Sequence, residues 1–167
     1  MRRLFIALLS STLCACSSFI PFGDSSLETD PFETATAVYS WQVEGRMVFR
    51  CDYDDRGFYW KFHSQTGTVK NDDGKVVGTI SGNLTLVHKD GSNATSRIEK
   101  SLRPADGRNA ADVRYKVESA SARGALHDLR YITRTRTEGG MPLAACSAAQ
   151  RDTALRVPFT ARLIAYR

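Results

Sequence analysis

Two of the four cysteines in this 167-residue chain, Cys14 and Cys16, are separated by a single residue, which restricts the chemistry they support. A thioredoxin-type redox site requires the spacing C-x-x-C rather than C-x-C. A zinc knuckle requires further cysteine or histidine ligands nearby, and the sequence has none close to this pair. The remaining chemistry is attachment of a lipid to the cysteine sulfur, which depends on the residues that precede it.

The residues before the pair have the layout of an export signal. Arg2 and Arg3 form a positively charged start, and the apolar segment LFIALLSSTL (residues 4–13) follows. This segment is too short to cross a hydrocarbon core of about 30 Å as a helix, and its layout is typical of a cleavable signal peptide. We therefore predict that residues 1–15 are removed during export.

The segment that ends the signal, LCAC, resembles the lipobox of bacterial lipoproteins, in which a leucine, a small residue and an alanine precede a lipid-carrying cysteine. We predict that Cys16 carries the lipid and anchors the chain in the outer membrane, because Ser17 rather than an aspartate follows it. The chain then faces the periplasm or the cell surface. The alternative is an ordinary signal cleaved nearby, which leaves Cys16 as a free thiol.

Removal of the signal leaves Cys51 and Cys146, which lie near the two ends of the remaining domain. An exported chain meets an oxidising compartment, where a lone pair of thiols usually forms a disulfide. We predict a bond between Cys51 and Cys146 that encloses most of the domain and stabilises it by restricting the unfolded chain. The alternative is a pair of buried, reduced cysteines that are too far apart to bond.

Charge divides the mature chain into two parts. Residues 16–40 contain four acids, no Lys or Arg, and many Ser, Thr and Pro residues, which predicts an acidic flexible tether. Residues 41–167 contain 21 Lys and Arg against 14 Asp and Glu, and their number suits one domain with a single core. A basic domain fits an anionic envelope component, whereas an exported chain rarely meets nucleic acid. The alternative is an ordinary solvated surface.

Apolar residues alternate with polar ones at period two along this domain, which predicts β-strands. The residues that share a face are Met47, Phe49 and Cys51; Phe58, Trp60 and Phe62; Val113, Tyr115 and Val117; and Leu155, Val157, Phe159, Ala161 and Leu163. With the turn signals between the runs, we predict an all-β fold, an antiparallel β-sandwich or barrel of roughly eight strands. Pro158 cannot donate to a ladder, so the last strand is expected to lie at an edge or to be bulged there.

Several of these segments are similar to domain-of-unknown-function family 3455, an exported group found in bacteria and fungi. They are GRMVFRC (45–51), TVKNDDGKVVGT (68–79), KDGSNA (89–94), GALHDLRYITRTRTEGGMPLAAC (124–146) and RVPFTARLIAY (156–166). The resemblance implies a β-rich exported domain and implies no activity. The sequence departs from the family where a histidine and a tryptophan usually follow the first hairpin, since Ile80 and Leu84 stand there.

Side chains that support catalysis or metal binding are present but form no known pattern. His63, His88 and His127 are scattered, without the spacing of a metal site. Serine is abundant, yet no Gly-x-Ser-x-Gly motif occurs. DYDD (52–55) offers three carboxylates but lacks the spacing of a calcium loop. We therefore expect no metal, no cofactor and no catalytic residue.

Arginines provide the best candidate surface. In RYITRTRT, alternation places Arg130, Arg134 and Arg136 on one face, where guanidiniums bind carboxylates or phosphates in a bidentate manner. Gly139 and Gly140 follow, and a flexible glycine backbone offers its N–H groups to an anion. We predict an anion-binding face. The alternative is that these arginines pair with acids on neighbouring strands.

These features support hypotheses of two functional classes. The first is a non-catalytic cell-envelope lipoprotein that binds an anionic envelope component or a protein. The second is an enzyme of unrecognised mechanism acting on a cell-wall substrate, which requires polar groups that converge in one pocket. A sharper version of the first is a lysozyme-inhibitor-like lipoprotein. Such inhibitors use Ser-Gly-x-x-Tyr, whereas SGNLT of this chain ends in Thr85.

Overall fold

The computed structural model describes Leu27, residues 35–104 and residues 106–167. The predicted signal peptide, the predicted lipid-carrying Cys16 and most of the predicted tether lie outside the described residues, so they stay predictions. Within the described ranges, no helix is both long enough and apolar enough to cross a membrane.

Eight antiparallel strands close into a barrel. Each strand pairs with the next in sequence, and the last pairs with the first. The strands are β1 (Ala37–Asp54), β2 (Gly57–Lys70), β3 (Val76–Gly82), β4 (Thr85–His88), β5 (Asn93–Leu102), β6 (Asp112–Ala120), β7 (Tyr131–Gly139) and β8 (Ala154–Tyr166), with a 3₁₀ turn at Ala148–Gln150 before β8. The all-β prediction is confirmed, and of its two forms the chain adopts the barrel.

Alternation along the strands fills the barrel with apolar side chains. On β1, the residues predicted to share a face, Met47, Phe49 and Cys51, are all buried. On β8, Phe159, Ala161 and Leu163 are buried in the same way, while Thr160 and Arg162 between them are more exposed. An eight-stranded barrel has an interior just wide enough for side chains to fill. The core therefore occupies the space that a wider barrel would leave open.

The last strand, β8, is not an edge strand although it contains Pro158. It pairs with β1 on one side and with β7 on the other, because the barrel is closed. The irregularity near the proline lies in β7, whose register shifts between Thr135 and Glu138. The carbonyl of Pro158 accepts a hydrogen bond from the Gly140 N–H at 2.9 Å. The prediction of an edge is wrong, and the bulge belongs to the neighbouring strand.

The tip of the β1–β2 hairpin projects beyond the two strands that flank the hairpin, β8 and β3. β1 pairs with β8 as far as Arg50, and β2 pairs with β3 only over Gln65–Lys70. A disulfide between Cys51 and Cys146 joins the projecting part to the loop before β8, with Cα atoms 5.9 Å apart. The predicted disulfide is therefore present, and it holds the free end of the hairpin.

At the opposite end of the barrel, part of the predicted tether contacts the domain. β1 begins at Ala37, before the predicted boundary at residue 41, because the end of β8 supplies hydrogen-bond partners there. Leu27 is buried, and its carbonyl accepts a hydrogen bond from Nη1 of Arg114 at 3.2 Å. Arg114 also forms an ion pair with Glu99 at 2.7 Å, so this contact fixes a charged pair on the outside of the barrel.

Reduction of the disulfide should lower the free energy of unfolding. The two cysteines are 95 residues apart, and closing a loop of that length restricts the unfolded chain by up to about 4–5 kcal/mol. Urea denaturation with and without reductant measures the difference. A thiol assay on the denatured, unreduced protein should detect no thiol from Cys51 or Cys146. Two free thiols, or identical denaturation midpoints, would contradict the bridge.

Candidate functional site

Arg134, one of the three arginines predicted to bind an anion, lies inside the barrel. It pairs with Val113 of β6, and only 4% of it is exposed. Its Nη1 donates to Oε1 of Gln65 at 2.6 Å, and its Nη2 donates to the Ala111 carbonyl at 2.9 Å. The guanidinium carbon lies 5.7 Å from the ring centroid of Phe159. These contacts direct the side chain into the core rather than toward solvent.

Gln65 connects Arg134 to the other polar groups of the interior. Its side chain is fully buried, and its amide nitrogen donates to the Asn83 carbonyl and, at 3.3 Å, to the Tyr115 hydroxyl. Asn83 belongs to the SGNLT segment, so this turn between β3 and β4 is held from within the barrel. Within the described part of the chain, the partners of the guanidinium are neutral groups. Nε of Arg134 has no hydrogen-bond partner among the described residues, so the buried charge depends on these two acceptors, which makes the network part of the scaffold.

Arg136 and Arg130 do not lie beside Arg134. Arg136 is exposed and has a φ of 51° at the bulge in β7, where strand alternation is interrupted. The Asp112 carboxylate stabilises this bulge by accepting hydrogen bonds from the N–H groups of Arg136, at 3.3 Å, and Thr137, at 3.2 Å. Arg130 is exposed and precedes β7. The prediction of one shared face is wrong, because one arginine points inward and a bulge redirects another.

The two glycines predicted to close on an anion already use their N–H groups. Gly139 donates to Oδ1 of Asn109 at 2.8 Å, and Gly140 donates to the Pro158 carbonyl at 2.9 Å. The Gly139 carbonyl accepts from the Ala110 N–H at 2.7 Å. Both glycines have positive φ, which a residue with a side chain rarely adopts. The prediction that they offer free amides is therefore wrong, and they fasten two loops over the end of the barrel.

A histidine, a carboxylate and a serine meet at the turn after β4. Nδ1 of His88 lies 3.0 Å from Oδ1 of Asp90, and the Ser92 hydroxyl donates to the same oxygen at 2.6 Å. The hydroxyl of Ser92, then the N–H groups of Ala125 and Ser92, hold the pKa of Asp90 well below its usual range. Because Ser92 bonds to the carboxylate rather than to the imidazole, the three residues lack the order nucleophile, base, orienting acid. The arrangement stabilises a turn.

Metal ligation has no geometric basis in the described residues, since no three His, Cys, Asp or Glu side chains converge there. The DYDD carboxylates have local partners instead. Oδ2 of Asp52 forms an ion pair with Nζ of Lys61 at 3.0 Å, and Oδ1 of Asp54 accepts the Arg56 N–H at 2.9 Å. The N–H of Tyr53 and the Lys61 ammonium lower the pKa of Asp52. These acids therefore shape the hairpin turn.

The projecting hairpin carries the most prominent apolar surface among the described residues. The surface, termed the aromatic end, consists of Tyr53, Phe58, Tyr59, Trp60 and Phe62 together with Leu143 of the loop before β8. Leu143 is 85% exposed, Tyr53 is 58% exposed and Phe62 is 39% exposed. Exposed large apolar side chains that cluster in this way mark an interaction surface more often than isolated ones do.

The aromatic end is held in shape by its own contacts. Tyr53 and Phe58 have ring centroids 4.9 Å apart, and Phe62 meets the buried ring of Phe49 edge-on at 5.8 Å. Tyr59 and Trp60 line a shallow groove against residues 142–145. The disulfide lies beside this groove, because Cys51 is the strand partner of Trp60 and Cys146 directly follows residues 142–145. The surface is therefore positioned by covalent and aromatic contacts on both sides.

The sequence contains a signal for this surface in the aromatic residues of β2. Phe58, Trp60 and Phe62 were expected to share one face, and they do face the interior side of β2. Tyr59 adds an aromatic residue to the opposite face, so the segment GFYWKF is aromatic on both faces of one strand. A strand with rings on both faces cannot bury all of them in one core. This indicates that some of the rings form a second, exposed surface.

Comparison with known proteins identifies a family. The family model described as "Protein of unknown function (DUF3455)" matches residues 75–167, which include β3 to β8. No curated protein and no solved structure matches the chain. Leu143 lies within the matched region, whereas the aromatic residues of the hairpin precede it.

Substitutions in and near the interior network should distinguish the buried Arg134 from the exposed Arg136 by their effect on the free energy of unfolding. Gln65→Leu should lower the free energy of unfolding by at least about 2 kcal/mol, because the buried guanidinium of Arg134 loses an acceptor. Arg134→Gln should have a comparable cost. Arg136→Gln changes an exposed side chain and should alter stability by less than about 0.5 kcal/mol. Urea denaturation measures all three, and equal costs for the two arginine variants would contradict the interior role of Arg134.

Proposed function

Since this chain belongs to the DUF3455 family of proteins of unknown function, we propose a function from its surface chemistry. The protein is a non-catalytic binding module of the bacterial cell envelope, and the aromatic end is the surface that engages its partner. The partner is a protein of the envelope. The exposed apolar side chain of Leu143 beside the groove of Tyr59 and Trp60 is the observation that carries this proposal.

The composition of the aromatic end supports a protein partner. Tyrosine, tryptophan and phenylalanine are enriched in the centre of protein–protein interfaces, whereas the rim of an interface is polar and charged. Here the rings are bordered by Lys61, Asp52 and the exposed Arg50, which is the strand partner of Lys61. An apolar centre with a charged rim is the arrangement expected of a binding patch that remains soluble when it is free.

Rigidity of the surface also supports binding. The Cys51–Cys146 disulfide fixes the distance between the hairpin and the loop that carries Leu143. A surface that is already in its bound shape loses less conformational entropy on association, so more of the contact energy appears as affinity. The covalent link thus lies where a binding function would require it.

Lipid attachment at Cys16 completes the proposal, and the sequence before and around that cysteine supports it. An anchor of this kind holds the barrel at a membrane surface through the acidic residues of 16–40. In the outer membrane, the barrel then remains close to partners that are also confined to the envelope. Confinement raises the effective concentration of the partner, so a modest affinity suffices.

Replacement of Cys16 should abolish anchoring. Cys16→Ser should leave unprocessed precursor that takes up no labelled fatty acid, because only the cysteine sulfur accepts the lipid. Cys14→Ser is the matched control, because residue 14 is predicted to be removed with the signal and serine is as small as cysteine. The Cys14→Ser protein should still be lipidated at Cys16. Fractionation and fatty-acid labelling measure both variants. A Cys16→Ser protein that is labelled like the wild type would contradict the anchor.

Photo-crosslinking should locate the partner on the aromatic end. A photoreactive amino acid should replace Leu143 in the full chain, and the chain should be expressed in the organism that naturally produces it. Irradiation should then give a discrete adduct with an envelope protein. The matched control is the same amino acid at Val87 of β4, which is 40% exposed and distant from the hairpin in the fold. Adducts of equal yield at both positions, or none at Leu143, would refute binding through the aromatic end.

A further inference from the structure

One edge of β2 has no neighbouring strand among the described residues. β2 pairs with β1 along its whole length, but β3 accompanies it only over Gln65–Lys70. β3 ends at Gly82, where the chain turns into β4. Residues 57–64 therefore have a hydrogen-bonded strand on one side only. A strand edge of this kind presents unpaired N–H and C=O groups that can pair with another chain.

The hydrogen bonds of Cys51 show which backbone groups point to that edge. The Cys51 N–H donates to the Thr153 carbonyl at 3.1 Å, and the Cys51 carbonyl accepts from the Asp152 N–H at 3.2 Å. Both groups of Cys51 therefore point away from β2, and its pair with Trp60 is a non-hydrogen-bonded pair. In such a pair, the N–H and C=O of the opposite residue also point outward.

The outward direction of Trp60 determines the directions of its neighbours. Successive residues of a strand direct their N–H and C=O groups to alternate sides. The register between β1 and β2 is regular from Phe62 to Gly57, so Phe62 and Phe58 share the direction of Trp60. Three aromatic residues thus present three donors and three acceptors along one open edge.

Building on the proposed function of the aromatic end, we propose that its protein partner is a second copy of the chain, whose β2 edge pairs with this one. The strands run antiparallel about a two-fold axis that passes between the two copies of Trp60. In this register, Trp60 lies opposite Trp60 of the second copy, and Phe58 lies opposite Phe62 of the second copy. Every outward N–H of these residues then meets a carbonyl, and the two barrels share a continuous sheet.

Side-chain complementarity favours a second copy as the occupant. A two-fold interface places the same patch against itself, so each residue must be compatible with its counterpart. The register centred on Trp60 sets aromatic residues against aromatic residues on one face, which is a favourable cross-strand pairing. On the other face it sets Tyr59 opposite Lys61, so no like charges oppose each other. Lys61 is moreover drawn toward Asp52 of β1, at 3.0 Å, so its ammonium is held on the side of the neighbouring strand.

The second open edge of the barrel provides a contrast. β5 pairs with β4 only at residues 93–95, so among the described residues its later part also has a neighbouring strand on one side only, β6. That segment carries Arg97, Glu99 and Lys100 around the half-exposed Ile98. Charged residues along an edge are the usual protection against unwanted pairing. The β2 edge lacks this protection over Phe58, Tyr59 and Trp60, which is consistent with an edge that pairs.

Native mass spectrometry of the full chain, as isolated from cells and kept in mild detergent, tests the proposal. The wild type should give a dimer, and Phe62→Lys should weaken dimerisation at least tenfold, because it sets a charge opposite Phe58 of the second copy. Ile98→Lys is the matched control, since Ile98 is an inward-facing strand residue of similar exposure on the β5 edge. It should leave the dimer intact. A monomeric wild type, or a dimer lost only with Ile98→Lys, would overturn the proposal.

Amide hydrogen exchange of the unsubstituted protein provides a test that does not depend on the folding of a variant. The N–H groups of Trp60 and Phe62 should exchange more slowly as the protein concentration rises. Those of Tyr59 and Lys61 point to β1, so their exchange should not depend on concentration. Fast exchange of Trp60 and Phe62 at every concentration would refute the pairing. Protection of these amides by a different polypeptide, independent of the concentration of this protein, would show that the occupant of the edge is not a second copy.

Discussion

Hydrogen bonding between β1 and β8 is the constraint on which the rest of the structure depends. This contact removes two sheet edges at once and converts an open sheet into a closed wall. Closure with eight strands leaves an interior that side chains alone must fill, so each inward residue has to match the volume of those around it. Gly45 illustrates how tight the fit is, because a Cβ atom there would collide with the carbonyl of Thr66 and approach the ring of Phe159 to 3.0 Å.

The narrow interior of the barrel also explains why neutral groups are the hydrogen-bond partners of Arg134. Removal of a guanidinium from water costs several kcal/mol unless its hydrogen bonds are replaced. A carboxylate partner would require a second charge to be desolvated in the same narrow space. The side-chain amide of Gln65 and the backbone carbonyl of Ala111 supply acceptors without that cost. The ring of Phe159 adds a cation–π contact, which is strongest when water is excluded.

Alternation in the sequence predicted which residues share a face, since that period is a local property of a strand. It placed Met47 with Phe49 correctly. It did not reveal which face of β7 is the interior, because polar and apolar residues occur on both faces of that strand. The bulge at Arg136 depends on the Asp112 carboxylate, which lies on another strand and has no local signature. Exposure of the aromatic rings likewise depends on where β3 ends, which is a property of a different segment.

The pairing of Thr36 with Arg167 has a mechanical consequence. These residues exchange two backbone hydrogen bonds, at 2.9 and 3.0 Å, so the chain enters and leaves the barrel at one pole, while the hairpin tip lies at the other. The 18 residues of β1 connect the two poles, a contour of about 60 Å at about 3.3 Å per residue. Tension between the poles acts along this strand, so its two flanking ladders are loaded in shear and their hydrogen bonds resist together. The disulfide transmits the tension from the far end of β1 into the loop before β8. The barrel therefore resists extension as a whole and does not open one hydrogen bond at a time.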